Sequence, residues 1–225
     1  MARPVELYVA TRDRFLELVD QVDPALGLPA TPDWDVRQLV AHLVGLNQDL
    51  VDGNVEDYAG AEWTAAQVES RAGVPLPDLV AEWDAVLPAF LEVLADPVGH
   101  GLEDYLGISP VVDLVSHDLD LREAAAVDVV VPPDVWDVIG PRRQFLLDLQ
   151  VQDAGLPALQ VVTPEGDDWV VGSGEPAGHV RAGRLDLWRS LEGRRTRAAV
   201  RSFDWSVDPE PYLPVWPASA FDWPA

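Results

Sequence analysis

The stretch Asp113-Leu-Val-Ser-His117-Asp-Leu-Asp120-Leu-Arg122 decides how this chain is read. Taken as a helix turning 100° per residue, it places Asp113, His117 and Asp120 within an arc of about 60°. Val111, Leu114, Val115, Leu119 and Leu121 occupy most of the remaining circumference, so the spacing predicts a largely buried helix. Ionisable side chains in apolar surroundings are costly unless they are paired or ligate a metal. A three-member polar stripe on such a helix therefore points to a metal site. Arg122 falls on the opposite side, where it is expected to pair with another helix.

An Asp-x3-His pair supplies two ligands, and a divalent site needs at least a third. Of the four histidines, His42 is the best candidate. It sits mid-helix in Val40-Ala41-His42-Leu43, at the edge of an apolar arc, facing either the core or the seam between helices. His100 lies between two glycines in a helix break, and His179 belongs to the second half of the chain. His42, Asp113 and His117 would offer two imidazoles and one carboxylate with a coordination position left open, a set catalytic in character. Asp120, one turn beyond His117, is placed to accept a ring N–H and set the tautomer. The plainer alternative is that Asp-x3-His arises by chance on a solvated helix and that His42 is a core residue with satisfied hydrogen bonds.

The 225 residues suffice for one large domain or two small ones. No apolar run approaches the roughly 18 residues of a membrane span. The start, Met-Ala-Arg-Pro-Val-Glu, lacks the basic and then apolar texture of a secretory signal, so a cytoplasmic protein is expected. Cysteine is absent, which excludes disulfides, thiolate-ligated metals and any thiol nucleophile of the chain's own. A metal would have to be held by His and carboxylates, which favours Zn²⁺ or another first-row divalent ion. All 15 basic residues are Arg, a pattern that speaks to codon supply more than to chemistry. A net charge of −24 argues against nucleic acid and acidic membranes as partners. The charge is uneven: residues 1–140 carry 27 acidic and 6 basic residues, whereas seven Arg fall between Arg181 and Arg201.

Apolar residues at helical spacing predict helices over 5–23, from about 34 to 50 with Thr31 or Asp33 as cap, over 76–94 and over 110–126. Residues 52–74 read as a loop with one helical turn around 65–70. Four such helices make a four-helix bundle. Beyond residue 129 the texture changes. Segments 145–151, 158–163, 169–172 and 197–203 read as strands, and 183–191 as an amphipathic helix. The Pro- and aromatic-rich tail from Pro209 is expected to be extended and docked through Trp216 and Trp223. The fold class is α+β, with a boundary within 130–142 that divides the chain into 1–135 and 136–225.

Thr31-x-Asp33-Trp34-x-Val36-Arg37-x-Leu39-Val40-Ala41-His42-Leu43 resembles the second-helix signature of DinB-like proteins related to mycothiol-dependent maleylpyruvate isomerase. Asp113-x3-His117-x2-Asp120-x-Arg122 resembles that family's second metal motif, and Gly193-Arg194-Arg195-Thr196-Arg197-x2-Val200-Arg201 with Asp204-Trp205 its C-terminal signature. The three occur in family order across most of the chain. The resemblance implies a DinB-like bundle followed by a small α/β domain, and a divalent metal, usually Zn²⁺, held by His42, Asp113 and His117. The founding pattern has Glu where this chain has Asp113, which draws the carboxylate back by about one methylene. The resemblance further implies mycothiol as a thiol cofactor, in a reaction where the thiol adds to an activated double bond, rotation follows, and elimination returns the thiol. Arg194, Arg195 and Arg197 are expected to reach a cleft between domains and hold a small anionic substrate, since a guanidinium grips a carboxylate bidentately. Structural pairing with Asp or Glu is the alternative for each.

The function expected is thus a metal- and mycothiol-dependent isomerase or thiol transferase, monomeric or homodimeric. The alternatives are a non-catalytic metal-binding or interaction protein of the same fold, and a metal-assisted hydrolase.

Overall fold

The computed structural model describes residues 2–129 and 132–217. It divides into two compact units, Met1–Asp128 and Val129–Ala225. The first contains α1 (Ala2–Val19), β1 (Gly27–Leu28), β2 (Thr31–Asp35), α2 (Val36–Asp52), α3 (Ala61–Glu69), α4 (Leu76–Ala95) and α5 (Ser109–Ala124). Helices α1 and α2 each pack on both α4 and α5, so the four long helices close into the expected bundle. Its core is built from Tyr8 and Phe15 of α1, Leu39 and Leu43 of α2, Trp83 and Phe90 of α4, and Leu114 and Leu121 of α5. The Arg12 guanidinium stands 4.9 Å from the Trp83 ring and pairs with Asp84. A charged head is thereby admitted at the edge of the core, over an aromatic face.

Two local readings are corrected. Neither Thr31 nor Asp33 caps α2, because residues 31–35 pair antiparallel with β1 as β2. The cap falls to the last strand residue, Asp35. Its carboxylate accepts from the Gln38 N–H at 2.7 Å, and the Gln38 side chain accepts from the Asp35 N–H at 2.9 Å, a complete capping box. The segment read as a loop with one turn contains a nine-residue helix, α3, packed on α2. Among the described residues, no helix is long and apolar enough to cross a membrane.

The second unit contains α6 (Pro133–Asp153), β3 (Leu159–Val162), β4 (Asp168–Val171), β5 (Gly178–Arg181), α7 (Arg184–Leu191), α8 (Arg197–Arg201) and β6 (Asp204–Trp205). The sheet order is β4-β3-β5-β6, with β3 and β5 parallel and the outer pairs antiparallel. Helix α6 packs on β4 and α7. Residues 145–151, read as a strand, lie in α6. Leu147 and Val151, four apart, are buried while Phe145 and Leu149 are exposed. Every second position being apolar satisfied a strand template, but burial at i and i+4 is helical. Residues 197–201, also read as strand, form α8, because the Thr196 hydroxyl caps it by accepting from the Ala199 N–H at 3.0 Å. The tail turns at 209–216 and docks through the buried Trp216, whose indole N–H donates to the Ser190 hydroxyl at 3.0 Å. Trp223 lies outside the described residues.

Asp167 ties β4 to α7: Arg184 grips both its oxygens at 2.8 Å and the Thr163 hydroxyl donates at 2.6 Å. Burial pushes the Asp167 carboxyl up, but the Arg184 and Thr163 bonds outweigh it and the pKa lies below the ordinary value. A carboxyl depressed in the folded state adds stability above its unfolded pKa, and that stability is lost as pH falls through the folded value. Asp167→Asn is expected to cost about 1–2 kcal/mol at pH 7. The difference from wild type should shrink as pH falls below about 4. Urea unfolding across that range checks this, and a difference undiminished at pH 3 would refute it.

Candidate metal centre

The sequence of α5 buries nearly every residue from Pro110 to Leu121. Asp113 is the exception, with its side chain 32% exposed. From α2, His42 comes to the same place. The ligand atoms of His42, Asp113 and His117 all lie within 4.8 Å of one another. His42 Nε2 is 3.2 Å from Asp113 Oδ2, and His117 Nε2 is 3.6 Å from Asp113 Oδ1. The imidazoles meet edge to face, with centroids 5.3 Å apart. Asp113 reaches both rings although it is one methylene shorter than Glu.

Which atoms carry hydrogen follows from the outer partners. His117 Nδ1 is 3.0 Å from Asp120 Oδ2, and Asp120 is buried. With Asp120 ionised, its carboxylate only accepts, which makes His117 Nδ1 the donor. His42 Nδ1 is 2.7 Å from Gln67 Oε1, while the Gln67 amide nitrogen donates to Asp49 at 2.6 Å. Asp49 as an acceptor orients the amide, so its oxygen faces His42 and Nδ1 is again the donor. In the neutral imidazoles both Nε2 lone pairs are therefore aimed at the Asp113 carboxylate. Acceptor facing acceptor at this range is repulsive unless positive charge stands between them, supplied either by protons on the rings or by a cation.

The donor set fits a divalent cation. Metal–ligand bonds of about 2.0–2.2 Å in tetrahedral geometry separate ligand atoms by roughly 3.4 Å; here the two imidazole nitrogens stand 3.2 and 3.6 Å from different oxygens of Asp113, and one donor atom from each residue lies within 4.8 Å of the others. Both imidazoles have, at the ring nitrogen turned away from Asp113, the outer oxygen partner that metal-ligating histidines normally show. Trp34, carried by β2, lies over both rings, with centroids 5.1 Å from His42 and 6.2 Å from His117. Nearby in the core, the Tyr8 hydroxyl donates to Asn47 at 2.9 Å. Burial pushes that phenol well up, with a smaller upward contribution from the Asp113 charge, so it is a neutral donor at physiological pH.

Asp118, between the ligand and its orienting partner in sequence, does something else. Its buried carboxylate takes Arg14 Nε and Nη2 from α1 at 3.1 and 2.8 Å, and Arg122 Nε at 3.1 Å. Arg122 thus pairs within its own helix, and Arg14 makes the bond across helices that was expected of Arg122.

His100 is exposed in a short turn, and His179 is in β5 of the second unit. In that unit, Arg195 Nε donates to Asp186 at 3.1 Å and its Nη1 to the Arg194 carbonyl at 2.9 Å. Arg194 Nη1 donates to the Glu192 carbonyl at 3.2 Å, and Arg197 Nη1 to the Leu213 carbonyl at 3.3 Å. The segment is not extended, since Arg197 begins α8. Sequence reasoning missed Gln67 and Asp49 and gave Trp34 no role. For Gln67 one signal was present: with Trp63 it lies four apart on the face of α3 that is buried.

Residues 6–131 match the family described as mycothiol maleylpyruvate isomerase N-terminal domain. No curated protein matches the chain. Among solved structures, the crystal structure of the mycothiol-dependent maleylpyruvate isomerase is similar, with 13% identity and a TM-score of 0.52 over 91% of this chain and 92% of that one. A histidine-to-alanine mutant of that isomerase is similar at 12% identity and a TM-score of 0.51, with the same coverage. At these identities the likeness is one of fold.

Proposed function

We propose, from the premise that the chain belongs to the mycothiol maleylpyruvate isomerase N-terminal-domain family, that it is a divalent-metal-dependent enzyme using mycothiol to isomerise or transfer a thiol to a small anionic molecule. The observation that carries the metal half is the convergence of two imidazole lone pairs on one carboxylate, each ring held from behind by an acceptor. His42, Asp113 and His117 would hold the ion, with Zn²⁺ the metal best suited to two nitrogens and one oxygen. When bound, such an ion supplies Lewis acidity that keeps a thiol sulfur deprotonated at neutral pH. Gln67 and Asp120 hold the rings in place. Trp34 screens one side of them from water, while the part-exposed Asp113 marks the open side. The chain's lack of Cys is compatible with a borrowed thiol.

An anion-holding role for Arg194, Arg195 and Arg197 belongs to the same proposal and stands on guanidinium chemistry alone. The test is calorimetric titration of mycothiol into Zn²⁺-loaded protein, followed by a dicarboxylate isomerisation assay. Saturable thiol binding that disappears in His117→Ala is expected. Stoichiometric metal without thiol binding would overturn the thiol half and move the assignment to a hydrolase or a non-catalytic metal protein. In the assay, Arg195→Ala and Arg197→Ala are each expected to raise KM about tenfold or more, the loss of one charge-assisted hydrogen bond. Unchanged kinetics would return these Arg to structural pairing.

A further inference from the structure

We propose that Gln67 is the positioning residue of the metal centre, and that α3 is packed against α2 in order to deliver it. The inference rests on the metal reading above and extends it to residues outside the three ligands. Among the described residues, the group behind His42 is an amide and not a carboxylate. The Gln67 carbonyl stands at its Nδ1 instead, at 2.7 Å, and both groups are buried. A side-chain amide could present either end, and the wrong one would donate to Nδ1, moving the ring proton to Nε2 and removing the lone pair from the site. Asp49 prevents this by accepting from the amide nitrogen at 2.6 Å. Asp49 is itself held, accepting from the Asn54 side chain at 2.8 Å. The chain Asn54–Asp49–Gln67–His42 therefore sets one tautomer without placing a charge next to the ring.

The approach of α3 depends on Gly45. A Cβ built there would stand 2.5 Å from Gln67 Cβ and 2.8 Å from its Cγ. Both atoms lie near the root of the side chain, so the clash can be relieved only by moving the helix. A glycine mid-helix costs about 1 kcal/mol relative to Ala, and here it leaves room for the residue that orients His42. The two imidazoles are consequently held unequally: His117 by the carboxylate of Asp120, His42 by a neutral amide. That asymmetry withholds one negative charge from the centre, leaving a bound dication more electrophilic toward an incoming anion.

The test measures Zn²⁺ affinity by competition with a chromophoric chelator, using metal-stripped full-length protein checked for folding by circular dichroism. Nitrogen-15 NMR of the His42 ring, in metal-free protein at a pH where the ring is neutral, is the second readout. Gln67→Ala is expected to lower affinity about 10–100-fold, the usual effect of losing an outer partner of a ligand. It should also mix the His42 tautomers while leaving His117 unchanged. Gln67→Glu combined with Asp49→Asn, which keeps the acceptor on His42 and turns a donor rather than a second carboxylate toward its other oxygen, is expected to bind Zn²⁺ at least as tightly as wild type. Gly45→Ala should reproduce the loss seen in Gln67→Ala. Should Gln67→Ala fail to fold, Asp49→Asn, which frees the amide to turn, is expected to mix the tautomers in the same way. Wild-type affinity in folded Gln67→Ala, or a loss in the Gln67→Glu, Asp49→Asn double variant equal to that of Gln67→Ala, would overturn the inference alone, provided that His117→Ala abolishes binding. A wild type that takes up no Zn²⁺ would overturn the metal reading and this inference together.

Discussion

Asp113→Ala and His117→Ala are each expected to lower Zn²⁺ affinity by more than about a hundredfold. Binding free energies of about 10–16 kcal/mol are typical of four-ligand protein zinc sites, so one ligand is worth about 3 kcal/mol, or roughly two decades. Asp113 is the cleaner probe. Its side chain is part-exposed and both imidazoles keep their outer partners when it is removed. In His117→Ala the buried ring itself is lost, so some stability goes with it. Two measurements check the expectation: competition titration for affinity, and thermal unfolding with and without metal. A ligand at 100 times its Kd stabilises the folded state by about 2.7 kcal/mol. Wild type should show that shift on adding Zn²⁺ and both variants should lose it. Equal shifts in all three proteins would rule out this triad as the metal site.

Asp118→Ala is expected to do the reverse, unfolding the protein readily while leaving the ligands alone. The Asp118 carboxylate is 1% exposed and takes hydrogen bonds from Arg14 on α1 and Arg122 on its own helix. Removing one member of a buried ion pair costs about 3–5 kcal/mol, because the remaining charge keeps its desolvation penalty and loses its partner. Here two guanidiniums would be left facing each other. The low end applies, since Arg14 is 30% exposed and can turn partly toward water. Urea unfolding gives the cost, and Zn²⁺ affinity measured below the transition should match wild type. A cost under about 1 kcal/mol would show that the Arg14 bond contributes no more than a surface pair.

Asp113, Asp118 and Asp120 lie within eight residues of one helix and have three different partners: two imidazoles, two guanidiniums and one ring N–H. The 100° advance per residue made Asp113, His117 and Asp120 legible as one stripe, and the same advance puts Asp118 on another face. What Asp118 meets there could not be read, because Arg14 is 104 positions away in the chain. His42 was legible as a polar residue at the edge of an apolar arc, but its orientation was not. Gln67 was hidden because a polar, glycine-flanked segment reads as loop, and α3 draws little on an apolar stripe of its own. Errors in the second unit have the same origin. Residues 145–151 fit both periods, and only the burial of Leu147 and Val151 together distinguishes helix from strand.

By itself, the sequence determined the order of the four long helices of the first unit, the change of texture beyond residue 129, and the three side chains able to ligate a metal. Each of these is written in local periodicity and residue type. The tertiary structure alone decided which oxygen stands behind each imidazole and which ring nitrogen is turned toward Asp113. For His117 that oxygen is three residues along the same helix; for His42 it is 25 residues away on another. The carbonyl behind His42 is delivered by the packing of α3 on α2, where a Cβ at Gly45 would stand 2.5 Å from Gln67 Cβ.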